Sequence, residues 1–237
     1  MTGGISYSYS FVGARRPPGR ITTSRREVLQ IGLAYAVLTA DLLIIFTDSS
    51  LFYGTRGAGL LQAVTPTVIG VAALAAATGF VAHEMAHKIV AQRSGFWAEF
   101  RMWPVGLALS LVTAFIGFLW GAPGATVVGG MGEGDRTNWG RTSLAGPLTN
   151  VGFAVVFYGL CLATVGALPT VAFWLLLLAY INAWFGTFNL IPIGPLDGRK
   201  VLSWSPKTWA ASIALTGSVA LIVGLALFWF QSPFLTW

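Results

Sequence analysis

The stretch "VTPTVIGVAALAAATGFVA", residues 64–82, runs without a charge into "HEMAHKIVAQRSG", residues 83–95. An apolar run of this length suits a membrane helix, which needs about 20 residues to cross a bilayer. Its continuation does not suit lipid. An unpartnered ionisable group at membrane depth costs roughly 3 kcal/mol or more, yet His83, Glu84 and His87 fall within five residues. The chain has only two histidines, and both are here.

The rest of the chain has the same character. Of 237 residues, 55% are hydrophobic and 9% charged, against roughly 25% charged in soluble domains. The composition predicts an all-α polytopic membrane protein. Apolar stretches long enough to span lie at 27–46, 66–91, 144–167, 171–193 and 208–230. A sixth, "PVGLALSLVTAFIGFLW" at 104–120, is short. Arg15, Arg16, Arg20, Arg25 and Arg26 precede the first span and read as a cytoplasmic flank rather than a nucleic-acid surface. Residues 1–25 are expected to form a flexible basic tail without a secretory signal, ahead of a single membrane domain at 26–237 with its core at about 64–202. Cys161, the only cysteine, reads as packing. Trp97, Trp103, Trp120, Trp139, Trp204 and Trp209 mostly flank the spans and read as interfacial anchors.

Charge placement decides the fate of 104–120. With six spans, eight Lys and Arg residues lie on the side of the N-terminus and six opposite. With a re-entrant or interfacial 104–120, thirteen share the N-terminal side and only Arg56 is opposite. The second arrangement fits the positive-inside rule. The expectation is therefore five spans, a cytoplasmic N-terminus and a cytoplasmic mouth for any site near His87. The glycine-rich segment 121–143 reads as irregular surface. "FWAEFRMW", 96–103, reads either as a surface loop or as a short membrane-associated edge strand that pairs with extended substrate.

His83 and His87 are one helical turn apart on one face, so both imidazoles reach a common metal ion. Glu84 is beside them, placed to act as a base on activated water. Catalytic zinc has three protein ligands, and no third histidine exists. The acidic candidates are Glu27, Asp41, Asp48, Glu99, Glu133, Asp135 and Asp197. Asp197 stands apart because "NLIPIGPLDGRK", 189–200, breaks a membrane helix, and broken backbone at that depth is tolerated only where it is buried in protein or lines a cavity. With five spans, Asp197 also emerges at the same membrane face as His87. Asn150 reads either as a polar contact in the cleft or as an interhelical hydrogen bond beside a Gly-Pro packing point.

His83-Glu84-x-x-His87 on one membrane helix, "NLIPIGPLDG" on a later one and Gly146-Pro147-x-x-Asn150 between them resemble the site-2 proteases, intramembrane zinc metalloproteases. The resemblance covers about 64–202 and points to the compact form without a PDZ-like domain. It implies that His83, His87 and Asp197 bind zinc, that Glu84 is the catalytic acid/base, and that Asn189 positions substrate or stabilises the oxyanion. The implied substrate is a transmembrane protein in a lipid bilayer. The alternatives are a membrane zinc peptidase acting on peptides or loops near the membrane and a non-proteolytic zinc protein. A transporter needs His or Asp pairs on several spans, and a dead scaffold has no need of both Glu84 and Asp197.

Overall fold

The computed structural model describes residues 21–48, 64–119 and 121–231. Residues 1–20 of the expected tail and Arg56 lie outside them. In chain order the elements are α1 Arg25–Asp48, α2 Pro66–Arg93, β1 Trp97–Met102, α3 Pro104–Ala114, β2 Gly124–Gly129, α4 Arg136–Thr164, α5 Pro169–Asn189, α6 Asp197–Trp204 and α7 Pro206–Gln231. Five of them, α1, α2, α4, α5 and α7, are long and apolar enough to cross a membrane. The fold is the expected helical membrane bundle with a small two-stranded sheet.

Local chemistry fixes the helix ends. Thr65 caps α2, its hydroxyl accepting the Val68 N–H at 3.3 Å, and Pro66 fills the first turn, where no donor is required. At the other end Gly95 adopts φ +84° and the Phe96 N–H closes back on the Ala91 carbonyl, a left-handed C-cap. Proline also opens α3, α5 and α7. α5 runs through the centre of the bundle: Leu176, Leu177, Leu178 and Ala179 are buried in succession, so the helix is covered all round. α1 and α7 expose Leu29, Leu33, Leu221 and Phe228, faces that suit lipid.

Segment 104–120 does not span. α3 has 11 residues, or about 16 Å of helix, roughly half the hydrocarbon thickness. β1 and β2 flank it and pair antiparallel, from Trp97↔Gly129 to Met102↔Gly124. The Trp103 N–H donates to the Pro123 carbonyl at 3.0 Å, so the chain returns to the point where it departed. Segment 121–143 is less irregular than its composition suggests. It holds β2 and the first turns of α4, which begins at Arg136 and not near 144. Polar "RTNWGRTS" folds as helix because it packs: a Cβ on Gly140 would collide with the Trp204 ring.

The sheet is anchored from one side. The Phe100 N–H donates to Glu27 Oε1 at 2.9 Å, the Met102 N–H to Gln30 Oε1 at 3.2 Å, and Gln92 Nε2 to the Ala98 carbonyl at 2.8 Å. α1 and α2 thus cap the outer edge of β1. Glu27 also pairs with Lys88 Nζ at 2.5 Å, and both side chains are sealed from solvent. Removing one partner of such a pair strands a charge and costs about 3–5 kcal/mol, whereas replacing both by apolar groups costs far less. Glu27→Leu and Lys88→Met are therefore each expected to lower the unfolding temperature in detergent more than the double substitution does. Equal losses in all three would show that charge pairing does not hold α1 to α2.

Candidate metal centre

His83 and His87 project from the second half of α2 toward α4, which runs antiparallel to it. Three residues of α4 at four-residue spacing face them. The Thr142 carbonyl lies 2.6 Å from His87 Nδ1 and Asn150 Oδ1 lies 2.6 Å from His83 Nδ1. Between them Gly146 leaves room: a Cβ there would stand 2.5 Å from His87 Nε2 and 2.6 Å from His83 Nε2. A backbone carbonyl only accepts, so His87 carries its proton on Nδ1 and presents a lone pair at Nε2. Both Nε2 atoms point to one place, 3.0 Å apart.

Asp197, the first residue of α6, completes the convergence. Its Oδ2 lies 2.9 Å from His87 Nε2 and 3.4 Å from His83 Nε2. Three donors bound tetrahedrally to one zinc ion stand about 3.3 Å apart, given bonds of 2.0–2.2 Å. The separations, the paired lone pairs and the space beside Gly146 all fit zinc. Lys200 Nζ donates to the other Asp197 oxygen, Oδ1, at 3.1 Å.

Glu84 is close enough that its carboxylate groups by distance with the two histidines, within 4.8 Å. Its hydrogen bonds separate it from Asp197. Glu84 Oε2 accepts the Thr126 N–H at 2.7 Å and the Thr126 hydroxyl at 2.8 Å, so β2 draws it to the cleft wall while Asp197 faces both imidazoles. The cleft, of about 100 Å³, lies between the histidines, β2, the start of α4 and the 189–200 turn. Asn189 lines it and donates to the Phe185 carbonyl at 3.0 Å. Asn150 does not reach it. It is fully buried, with Oδ1 on His83 and Nδ2 on the Gly79 carbonyl at 2.9 Å.

Of the other acidic candidates, Glu27 is paired with Lys88, Glu99 with Arg101, and Asp135 caps the Gly132 N–H at 3.1 Å. Asp41 is buried near Ser110 of α3. The side chains of Asp48 and Glu133 are outside the described set. The sequence reading missed Thr126, Thr142, Lys200 and Asn182. The 142–146–150 spacing was a usable signal, as was a lone asparagine in the middle of "LLLLAYINAWFG", 175–186.

A helical membrane bundle that folds an H-E-x-x-H helix and a distant aspartate into one buried donor set defines a membrane zinc protease. The chain is 36% identical over 166 residues, 69% of its length, to the provisionally named zinc metalloprotease MJ0611 of Methanocaldococcus jannaschii, 80% of which is covered. It is 28% identical over 178 residues, 73% of its length, to the provisionally named zinc metalloprotease Rip3 of Mycobacterium tuberculosis, of which it spans 40%. No protein-family profile and no solved structure matches. The chain belongs to the site-2 protease family of zinc metalloproteases, and its cofactor is zinc.

Gly146 gives the sharpest test of the geometry. Gly146→Ala is expected to remove most bound zinc, measured by elemental analysis, from protein that still elutes as a folded species. Full zinc content in that variant would mean that the metal lies elsewhere.

Proposed function

We propose that this protein is an intramembrane zinc endopeptidase that cuts transmembrane segments of membrane-protein substrates. The observation that carries the reading is the donor set of His83, His87 and Asp197 inside a bundle of membrane-crossing helices, with Glu84 beside it. In this reading the first three hold zinc and Glu84 is the acid/base. Zinc held there would supply Lewis acidity, lowering the pKa of a bound water to roughly 7 and polarising the scissile carbonyl. Glu84, oriented by Thr126, takes a proton from the attacking water and passes it to the leaving amine. Asn189 at the cleft wall positions the substrate backbone. Asn150, with no free polar group, is a positioning residue for His83.

The sheet supports an extended substrate. The outward N–H of Phe100 makes Phe100↔Thr126 a non-hydrogen-bonded pair, and antiparallel alternation then turns the backbone groups of Gly124, Thr126 and Val128 outward on β2. These residues line the cleft. The edge suited to strand addition is therefore β2, since side chains cap that of β1. A substrate helix must unwind before it can pair there, and broken backbone hydrogen bonds are costly in lipid. Segments with Gly, Pro or Asn should be cut faster.

In liposomes with a tagged single-pass peptide, products read by mass spectrometry should map within or beside the membrane segment. Glu84→Gln should keep zinc and lose roughly 10²- to 10⁴-fold in turnover, while Asp197→Ala should lose zinc. Unchanged cleavage by Glu84→Gln would overturn the mechanism, and cleavage only in loops distant from the membrane would favour a peptide-processing enzyme.

We further propose that the N-terminus and the cleft mouth face the cytoplasm, on the thirteen-to-one distribution of Lys and Arg. In a Cys161→Ser background, a cysteine at Gly57 should react with an impermeant reagent in intact cells, and one at Thr137 should not. Labelling at Thr137 would reverse the orientation.

A further inference from the structure

α2 is not α-helical throughout. Ala77–Val81, directly before the histidines, form a π turn, a feature that leaves carbonyls out of the regular ladder. Asn150 uses them: its Nδ2 donates to the Gly79 carbonyl at 2.9 Å and reaches the Thr78 carbonyl at 3.3 Å. A third acceptor comes from α5, where Asn182 Oδ1 lies 3.3 Å away. Asn182 is fully buried and its own Nδ2 donates to the Leu178 carbonyl at 3.0 Å and to Thr78 Oγ1 at 2.9 Å. The Thr78 hydroxyl gives its hydrogen to the Leu74 carbonyl at 2.8 Å.

We infer that Asn182 and the π turn are a positioning device that fixes the tautomer of His83. The inference rests on the zinc reading above and extends it to residues that touch no metal. Side-chain amides can flip, and the histidine partner follows the flip. Here backbone carbonyls remove the choice, because they only accept. Leu178 fixes the amide of Asn182, leaving its oxygen toward Asn150. That oxygen, with Gly79 and Thr78, fixes the amide of Asn150, leaving its oxygen 2.6 Å from His83 Nδ1. An acceptor at that point requires a proton on Nδ1 and frees Nε2 to ligate. A flipped Asn150 would offer N–H groups to Nδ1, drive the proton to Nε2 and aim it at His87 and Asp197. His87 needs no such device, since its partner is the Thr142 carbonyl.

The chain has only two histidines, so ¹⁵N-histidine labelling gives a spectrum of two imidazoles, with His87 as an internal control. In zinc-free protein, His83 should be the Nδ1–H tautomer. Asn182→Leu should add the Nε2–H form at His83 alone and weaken zinc binding about tenfold in chelator competition, the low end for outer partners of a ligand. Asn182→Thr should restore both, because its hydroxyl bonds the Leu178 carbonyl and still accepts from Asn150. Should Asn182→Leu not fold, Asn182→Ala reads the same signal. A wild-type tautomer and zinc affinity in the folded leucine or alanine variant would overturn the inference. So would equal losses in Asn182→Leu and Asn182→Thr that track a shared drop in unfolding temperature. Failure of the unsubstituted protein to bind zinc would count against the functional reading, while the zinc-free tautomer would still decide this one.

Discussion

Two imidazole nitrogens held 3.0 Å apart with their lone pairs facing each other are the constraint on which the centre depends. Such an arrangement repels unless a cation lies between, and the rings would turn away were their other nitrogens free. They are not free. The Thr142 carbonyl and the Asn150 amide hold both Nδ1 atoms at 2.6 Å, and Gly146 keeps the space between open. The stripe 142–146–150 on α4 is the mirror of 83–87 on α2. Antiparallel packing of the two helices therefore orients the rings, which is how outer partners raise metal affinity.

The same economy governs the hairpin. A two-stranded sheet beside membrane helices leaves two rows of backbone groups to satisfy, and lipid can satisfy neither. On β1 the solution is internal: Glu27, Gln30 and Gln92 pair with the outward groups. Glu27 could not be buried there alone, and Lys88 compensates its charge from the residue next to His87. On β2 the outward row faces the cleft, with the Thr126 N–H on Glu84. The sheet is thus closed toward the protein and open toward the proposed reaction site. The buried ion pair belongs to the closed side, with Lys88 one residue past His87.

Much of this was legible in the sequence because it follows from periodicity and cost. The five spans and the return of 104–120 follow from apolar length and charge bias. The convergence of Asp197 with His83 and His87 follows from the i, i+4 pair and a proline-broken helix arriving at the same face. The extension of α4 back to Arg136 was not legible, since the residues that form it resemble a surface loop and become helical only by packing under Trp204. Nor was the closure of β1: alternation at 96–103 predicts a strand equally well whichever edge is capped. The hold of Thr126 on Glu84 joins positions 42 residues apart, and no local pattern encodes it.

The two carboxylates of the cleft are chemically alike, and their surroundings divide them. Asp197 reaches the centre only because Pro192, Gly194 and Pro195 end α5 and restart the chain as α6. That restart is close-packed, since Gly198 lies against the Leu190 carbonyl, which also accepts the Trp209 indole N–H at 2.9 Å. Once there, Asp197 has the Lys200 ammonium on Oδ1 and both imidazoles facing Oδ2, surroundings that favour the carboxylate. A group so stabilised is a poor proton carrier and a good ligand. Glu84 has only neutral donors, the amide and hydroxyl of Thr126, and it lines the cleft where water and substrate would meet it. Pairs of carboxylates separated by environment are how one site supplies both a fixed charge and a mobile proton. In the proposed mechanism this asymmetry assigns the roles, with Asp197 on the metal and Glu84 on the proton.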